Sequence, residues 1–424
     1  MQQHVDSFYA ASAQGERDYA KLQGDITTDV CVIGGGFTGI SSALHLAERG
    51  YKVVLLEAAK VGWGASGRNG GQLYNTQRKP QAELEAQFGR DTARHLWDLA
   101  QEAAQLVVER VHRHQIPCDL KPGILVTAAK RAHVDDLRAG ASKLREDYGY
   151  DKVRFVDAEE TAHLVGTDRY HAGELNMGCY HLHPLNLALG LAAAAEEAGA
   201  RIFEHTPTLR YTQDEPALVT TPSGSVRARF VVLACNGYLG KLAPEIAGKG
   251  LPINNFVLAT EPLGEALAQR LNPQNLAFAD TKFVVNYWRL SADRRLIFGG
   301  GENYSSRFPK DIKAFVRRFM LRVYPQLNDV RIDYGWGGTL CVTLKRLPHF
   351  GRLRPNVYFA QGYSGQGVGL ANLAGKLVAE AIAGQAERFD VMAGLPTPAF
   401  PGGTWLRYPA LVLGMTYYAL RDRL

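Results

Sequence analysis

Residues 29–57 read DVCVIGGGFTGISSALHLAERGYKVVLLE, and this stretch decides the fold. It begins with the apolar run 29–33, which is typical of a buried parallel strand. Glycines spaced as G-x-G-x-x-G follow, and apolar residues then recur at helical spacing until Gly50. The run 53–56 predicts a second strand, which ends at Glu57. The sequence therefore predicts a strand, a glycine-rich turn, a helix and a second strand, as in a Rossmann-type α/β unit.

The spacing of these glycines and of Glu57 indicates a dinucleotide site. Gly34 permits the tight turn, Gly36 lets the backbone approach a pyrophosphate, and Gly39 lets the helix pack closely on the strand. The N–H groups and the dipole at the helix start favour phosphate. Glu57 is placed to accept hydrogen bonds from an adenosine ribose. At this stage the dinucleotide is either NAD or FAD.

Composition narrows the class of protein. The chain has 424 residues, of which 46% are hydrophobic and 21% charged, with a net charge of +6. This size allows two domains, or one domain with a large insertion. No Lys/Arg block accompanies the charge, so we expect no nucleic-acid partner. Five scattered cysteines without a C-x-x-C pair predict neither disulfides nor a metal site. The polar N-terminal segment lacks a signal-peptide core, which favours the cytoplasm.

Two further glycine-rich loops lie far apart in the sequence. Residues 62–72 (GWGASGRNGGQ) contain five glycines, which suits a backbone that lies against a flat or charged group. Residues 357–360 predict a strand that runs into the loop 361–369 (QGYSGQGVG) and a helix at 370–383. A dinucleotide that carries a large, flat, anionic ring system can use both helix starts.

Together with Trp336-Gly337-Gly338, these motifs make the chain resemble the superfamily of FAD-dependent D-amino-acid, glycine and sarcosine oxidases. The resemblance covers nearly the whole chain, in order. Within it, residues 183–188 (HPLNLA), 348–352 (PHFGR) and 400–403 (FPGG) are similar to the group of bacterial gamma-glutamylputrescine oxidases. Related enzymes of that subgroup act on other amines, including L-pipecolate.

The resemblance implies an α/β fold (α+β overall), with a Rossmann-type FAD-binding domain of discontinuous segments and a mixed-sheet substrate domain that covers the flavin. The FAD domain is assigned to residues 25–80, 183–242 and 338–395, the substrate domain to 81–182 and 243–337, and a C-terminal tail to 396–424. The apolar part of this tail is too short to span a bilayer. We expect it to dock on the protein's own surface, with a dimer contact or peripheral attachment to the inner membrane as alternatives.

Carried over by position, the resemblance also implies a set of site residues. The glycine turn and Glu57 hold the ADP half, residues 65–71 pass along the isoalloxazine, and residues 362–368 lie at its pyrimidine end. The predicted cofactor-binding residues are Gly34, Gly36, Phe37, Thr38, Gly39, Glu57, Ala58, Gly64, Ala65, Ser66, Arg68, Asn69, Gly70, Gly71, Gln72, Thr208, Gly338, Gly362, Ser364, Gly365, Gln366, Gly367 and Val368. We expect FAD to be bound non-covalently, because Cys341 falls a residue or more from the position where some relatives attach flavin.

The implied reaction is oxidation of a C–N bond. Hydride passes from the carbon bearing a neutral amine to flavin N5, and the imine hydrolyses to an aldehyde plus ammonia or amine. No side-chain base is required, so no catalytic residue is assigned. An aromatic wall would keep the amine neutral by desolvation. The predicted pocket residues are Arg68, Gln72, Tyr287, Trp288 and Tyr304. The expected substrate is gamma-glutamylputrescine or a related polyamine derivative.

Other functions stay open at this stage. An oxidase or dehydrogenase of L-pipecolate or sarcosine type is one, and a flavin-bound redox sensor or electron-transfer protein is another. An NAD(P) dehydrogenase would leave the two later glycine loops without a purpose. Many relatives carry Arg-Pro where Thr339-Leu340-Cys341 stands here, and Ile297 falls near the oxygen-activating lysine of sarcosine oxidases. The electron acceptor is therefore either O2, which would yield H2O2, or another molecule.

Overall fold

Two β-sheets organise the part of the chain that the computed structural model describes, residues 2–303 and 307–404. Tyr304 and the apolar run of the C-terminal tail lie outside these residues. The strands are β1 (Gly24–Ile33), β2 (Val53–Leu56), β3 (Gln72–Leu73), β4 (Lys121–Thr127), β5 (Val153–Val156), β6 (Gly173–His181), β7 (Arg201–Phe203), β8 (Arg210–Tyr211), β9 (Ala217–Thr221), β10 (Gly224–Leu233), β11 (Leu251–Pro262), β12 (Ala277–Asp280), β13 (Tyr287–Leu290), β14 (Arg295–Asn303), β15 (Ile332–Val342), β16 (His349–Arg354) and β17 (Val357–Gln361).

Twelve α-helices accompany these strands in the described ranges. They are α1 (Phe8–Ala11), α2 (Phe37–Ala47), α3 (Gln81–Phe88), α4 (Arg90–Arg113), α5 (Val134–Glu146), α6 (Ala158–Val165), α7 (Pro184–Glu197), α8 (Pro244–Ala247), α9 (Glu265–Leu271), α10 (Ile312–Val323), α11 (Gly367–Ile382) and α12 (Glu387–Ala393). Short 3-10 turns occur at Ala65–Gly67, Arg131–His133, Asn236–Tyr238 and Pro325–Leu327. None of the helices in these ranges is long and apolar enough to cross a membrane.

The first sheet is mainly parallel and carries the motif of residues 29–57. Its strand order is β16-β17-β10-β1-β2-β7, and β9 adds to β10 with β8 beside it. β1 pairs in parallel with both β10 and β2. Val30 and Val32 face a core shared with α2, α7 and α11, whereas Cys31 and Ile33 pack on the opposite face. Burial on both faces explains the unbroken apolar run, and the predicted strand–turn–helix–strand unit is confirmed.

The second sheet is mixed. Its order is β15-β11-β14-β13-β12-β4-β6-β3, with β5 added to β6. The pair β12–β4 is parallel, and the neighbouring pairs β13–β12 and β4–β6 are antiparallel. Helix α10 packs against β11, β14 and β15. The predicted α/β fold with a second, mixed sheet is therefore confirmed, while the domain boundaries stay a prediction.

One local prediction differs from the structure. The helix predicted at 370–383 begins earlier, at Gly367, with Gln366 as N-cap. The earlier start brings the first turn of α11 into the glycine loop itself.

Candidate active site

A cavity of about 1260 Å3 is lined by residues of both sheets and by the three glycine-rich loops. Pockets for one small molecule usually have about 300–1000 Å3, so this cavity has room for a dinucleotide and a second molecule. We call the part lined by residues 34, 36–38, 57–59, 64–66, 68–70 and 363–368 the nucleotide arm. The part lined by Tyr74, Arg78, Ile124, Val126, Glu174, Asn176, Cys179 and Ala279 is the distal arm.

The turn between β1 and α2 needs its glycines for steric reasons. Gly34 has a φ of +111°, and a Cβ there would lie 2.8 Å from the carbonyl oxygen of Ala234. A Cβ on Gly39 would lie 1.9 Å from the carbonyl oxygen of Gly34. The Phe37 N–H, at the first residue of α2, donates to Ser66 Oγ at 2.9 Å. This bond ties the second glycine loop to the helix start.

Glu57 follows the carboxyl end of β2 and faces the nucleotide arm. Its Oε2 accepts from the Gly35 N–H at 2.7 Å, and its Oε1 accepts from the Ala59 N–H at 2.8 Å. Burial raises the pKa of this carboxyl, and the two backbone donors oppose the increase. Each carboxylate oxygen keeps a further lone pair, so Glu57 can still accept from the hydroxyls of a ribose.

A second helix start faces the same arm. Gly367 begins α11, and the Gly362 N–H before it donates to Asn236 Oδ1 at 2.9 Å. Thr38 Oγ1 lies 2.6 Å from the Tyr363 hydroxyl oxygen, which joins the loop before α11 to the first turn of α2. Helix N-termini carry partial positive charge, so two of them in one cavity favour an anionic ligand.

Buried polar atoms without partners show what kind of group fits this arm. Arg68 is 7% exposed, and burial lowers the pKa of its guanidinium. Its Nη1 donates to the Gly337 carbonyl at 3.3 Å, and its guanidinium lies 3.9 Å from the ring centre of Trp63. Arg68 Nε and Nη2, Thr208 Oγ1 and Gln366 Oε1 have no hydrogen-bond partner in the described chain. Unpaired buried groups are costly. Carbonyl and phosphate oxygens suit the Arg68 donors, N–H or hydroxyl groups suit the Gln366 Oε1 acceptor, and FAD carries both kinds of group.

Most of the predicted cofactor-binding residues come together in this cavity. Those that line it are Gly34, Gly36, Phe37, Thr38, Glu57, Ala58, Gly64, Ala65, Ser66, Arg68, Asn69, Gly70, Gln72, Thr208, Gly338, Ser364, Gly365, Gln366, Gly367 and Val368. Gly39, Gly71 and Gly362 lie behind its wall, where a Cβ would meet a backbone or side-chain atom at 1.9, 2.0 and 2.4 Å, respectively. These three glycines therefore allow close packing. Contact with the cofactor stays a prediction for the whole set.

The predicted pocket residues divide by the face of the strand that carries them. Tyr287 lines the cavity, and its ring fills the space that a Cβ on Gly70 would need. Trp288 points to the other face of β13, is 1% exposed, and donates from Nε1 to Tyr324 Oη at 2.9 Å. Successive strand residues face opposite sides, so the assignment of Trp288 to the pocket is corrected to a core residue.

Gln72 lines the cavity but is held by its neighbours. Its Nε2 donates to the Phe278 carbonyl at 2.7 Å, and its Oε1 accepts from the Tyr74 hydroxyl at 2.9 Å. Sequence reasoning missed the aromatic pair of Trp63 and Tyr238, whose ring centres are 5.6 Å apart beside the nucleotide arm. It also missed Glu174, because a single glutamate in an alternating strand carries no signal of its own. Within residues 2–303 and 307–404, no His, Cys, Asp and Glu side chains group as metal ligands.

Comparison with known proteins agrees with this geometry. The family described as "FAD dependent oxidoreductase" matches residues 29–381. The chain is 45% identical over 425 residues to the Gamma-glutamylputrescine oxidoreductase of Escherichia coli (strain K12), covering 100% of both chains. It is 40% identical over 427 residues to the "Probable oxidoreductase OrdL" of Haemophilus influenzae, covering 100% of this chain and 98% of the other. The crystal structure of glycine oxidase from Geobacillus kaustophilus superposes with a TM-score of 0.71 at 21% identity, covering 85% of this chain and 95% of that one.

Proposed function

This chain belongs to the FAD-dependent oxidoreductase family, and from that premise we propose that it oxidises the terminal C–N bond of gamma-glutamylputrescine or a closely related polyamine derivative. Its cofactor is FAD. One structural observation carries the proposal: Tyr287 packs against Gly70 at the junction of the two arms. An aromatic ring therefore stands beside the loop assigned to the flavin, and its register partner Ala279 belongs to the distal arm, which suits an extended amine. Full-length similarity to a gamma-glutamylputrescine oxidoreductase supports the choice of amine.

The residues at this junction can keep the amine neutral. Tyr287 and Val285 line the cavity together with Val126 and Ala279 of the distal arm. An aromatic and aliphatic wall disfavours an ammonium ion, because charge is costly to remove from water. When bound, FAD supplies the two-electron oxidation that converts the amine to an imine, which water then hydrolyses. The protein binds and orients the amine, excludes water, and directs two helix N-termini toward the anionic cofactor.

A second candidate function rests on Arg346. Its guanidinium lies 5.2 Å from the ring centre of Phe283, and both residues line the cavity. A cation in this position can bind the carboxylate of a small secondary amino acid. An enzyme of L-pipecolate or sarcosine type is therefore the alternative to be tested.

Anaerobic titration of the purified holoenzyme separates these functions. The panel is gamma-glutamylputrescine, putrescine, L-pipecolate, sarcosine and a D-amino acid. Flavin reduction by each compound is measured as the loss of visible flavin absorbance. We expect gamma-glutamylputrescine to reduce the flavin fastest. Fastest reduction by L-pipecolate or sarcosine would select the second function, and a flavin that no amine reduces would indicate a redox sensor or electron carrier. Readmission of O2 then tests the acceptor, because reoxidation slower than turnover requires another molecule.

A further inference from the structure

One row of paired residues crosses the second sheet beneath the cavity. Glu174 of β6 is the register partner of Val126 of β4, which pairs with Ala279 of β12, which pairs with Tyr287 of β13. All four residues line the cavity. Neighbouring strands lie roughly 4.8 Å apart, so three steps place the Glu174 and Tyr287 backbones about 14 Å from each other. The row thus joins the flavin end of the cavity to the carboxylate of Glu174.

The carboxyl group of Glu174 has no positively charged partner among the residues that the structure describes. It is partly buried, and a Cβ on Gly140 of α5 would lie 3.2 Å from its Oε2. Its side chain has no hydrogen bond or ion pair with any residue in the ranges 2–303 and 307–404. Burial raises the pKa of this carboxyl to about 7, and burial also raises the pKa of neighbouring Cys179 to about 12. A partly buried carboxylate with no partner among the described residues favours a cationic ligand.

Arg78 provides the opposite charge in the same arm. Its side chain lines the cavity, is partly buried, and forms no ion pair within the described chain. The charges of Arg78 and Glu174 both act on Tyr74, the former lowering and the latter raising the pKa of that phenol, whose net shift is upward because of burial. Tyr74 lines the same arm, so both charges act within this arm. The distal arm offers one carboxylate and one guanidinium that do not neutralise each other.

We propose that Glu174 and Arg78 bind the α-amino-acid end of the substrate, Glu174 its ammonium group and Arg78 its carboxylate. This inference rests on the proposed function and extends it to the part of the molecule that does not react. In gamma-glutamylputrescine ten bonds separate the reacting amine from the α-ammonium, a span of about 12 Å at about 1.2 Å per bond. That length is close to the distance of about 14 Å between the Tyr287 and Glu174 backbones. Putrescine, with five bonds between its nitrogens, spans only about 6 Å and cannot reach.

The test uses a ligand that cannot be oxidised. Gamma-glutamyl-n-butylamide keeps the amino-acid end and lacks the reacting amine, and its binding to the holoenzyme is followed through the flavin spectrum. We expect E174Q and R78Q each to raise its Kd by about 10- to 100-fold, the range for a charged hydrogen bond. The kcat/KM for gamma-glutamylputrescine should fall by a similar factor through KM. The kcat/KM for N-acetylputrescine, which has no amino-acid end, should stay within twofold.

Matched controls are E159Q and R131Q, which make the same changes at exposed positions outside the cavity. Unchanged Kd values in both E174Q and R78Q, or equal losses with both substrates, would overturn the inference. If E174Q does not fold, the Kd and kcat/KM values of R78Q alone test the inference. Failure of the proposed function is distinct, because the wild-type flavin would then not be reduced by gamma-glutamylputrescine at all.

Discussion

Thr38 Oγ1 lies 2.6 Å from the hydroxyl oxygen of Tyr363, and this buried contact joins the two helix starts that face the nucleotide arm. We expect T38V and Y363F each to lower the free energy of unfolding by about 1–3 kcal/mol, because each leaves its partner unpaired. The double variant should lose less than the sum of both. Urea unfolding of the holoenzyme measures all three, and strictly additive losses would show that the contact carries no coupling.

Gly39 stands where α2 meets the turn before it. A Cβ there would lie 1.9 Å from the Gly34 carbonyl oxygen, so G39A must displace backbone. We expect the free energy of unfolding to fall by about 3 kcal/mol and the purified protein to lose most of its FAD. The control is G248A, where the nearest atom to an added Cβ is 3.5 Å away. FAD content and melting temperature equal to wild type in G39A would contradict the packing described here.

Tyr287 and Trp288 are adjacent residues with opposite surroundings. W288A should lower the free energy of unfolding by about 3–5 kcal/mol, because it empties a core site packed by Phe298 and Tyr324. Y287A should mainly lower kcat/KM for the amine, by about tenfold or more, since it opens the wall of the cavity. Urea unfolding and steady-state kinetics on both variants test this contrast. A larger kinetic defect in W288A than in Y287A would reverse the assignment.

Glu174 should make stability depend on pH. Its pKa is about 7 in the folded protein against an ordinary value of 4.5, so between these values the folded state holds a proton that the unfolded state releases. The contribution of Glu174 to the free energy of unfolding therefore falls as the pH rises from 4.5 to about 7. E174Q removes the effect, and we expect its stability relative to wild type to increase by about 2 kcal/mol from pH 5 to pH 8. Thermal unfolding of the substrate-free holoenzyme at both pH values measures this change. A difference in stability between E174Q and wild type that is the same at pH 5 and pH 8 would contradict the burial of this carboxyl.

Sequence patterns predicted the elements whose signal is local. The apolar run 29–33, the glycine turn and Glu57 lie within one βαβ unit, where spacing along the chain fixes spacing in the fold. Tyr287 was predicted to line the pocket and lines the cavity, but the face on which Trp288 lies was not predicted. A shift of one residue in register reverses both faces of a strand, and the pairing of β13 depends on distant strands.

The distal arm shows the limit of such prediction. Glu174 acquires its meaning only through Val126 and Ala279, which belong to strands separated from it by many residues. Arg78 likewise resembles any polar residue after a glycine loop until the fold places it in the same cavity as Glu174. Long-range strand pairing creates this arm, and no periodicity in one segment encodes it.

The rate of anaerobic flavin reduction by gamma-glutamylputrescine, compared with that by L-pipecolate at equal concentration, tests the central claim most directly. The long cavity from Tyr287 to Glu174 predicts a rate at least tenfold higher with gamma-glutamylputrescine. An equal or faster reduction by L-pipecolate would contradict the proposed function. The comparison needs only the wild-type holoenzyme, so no variant must fold for the answer to be clear.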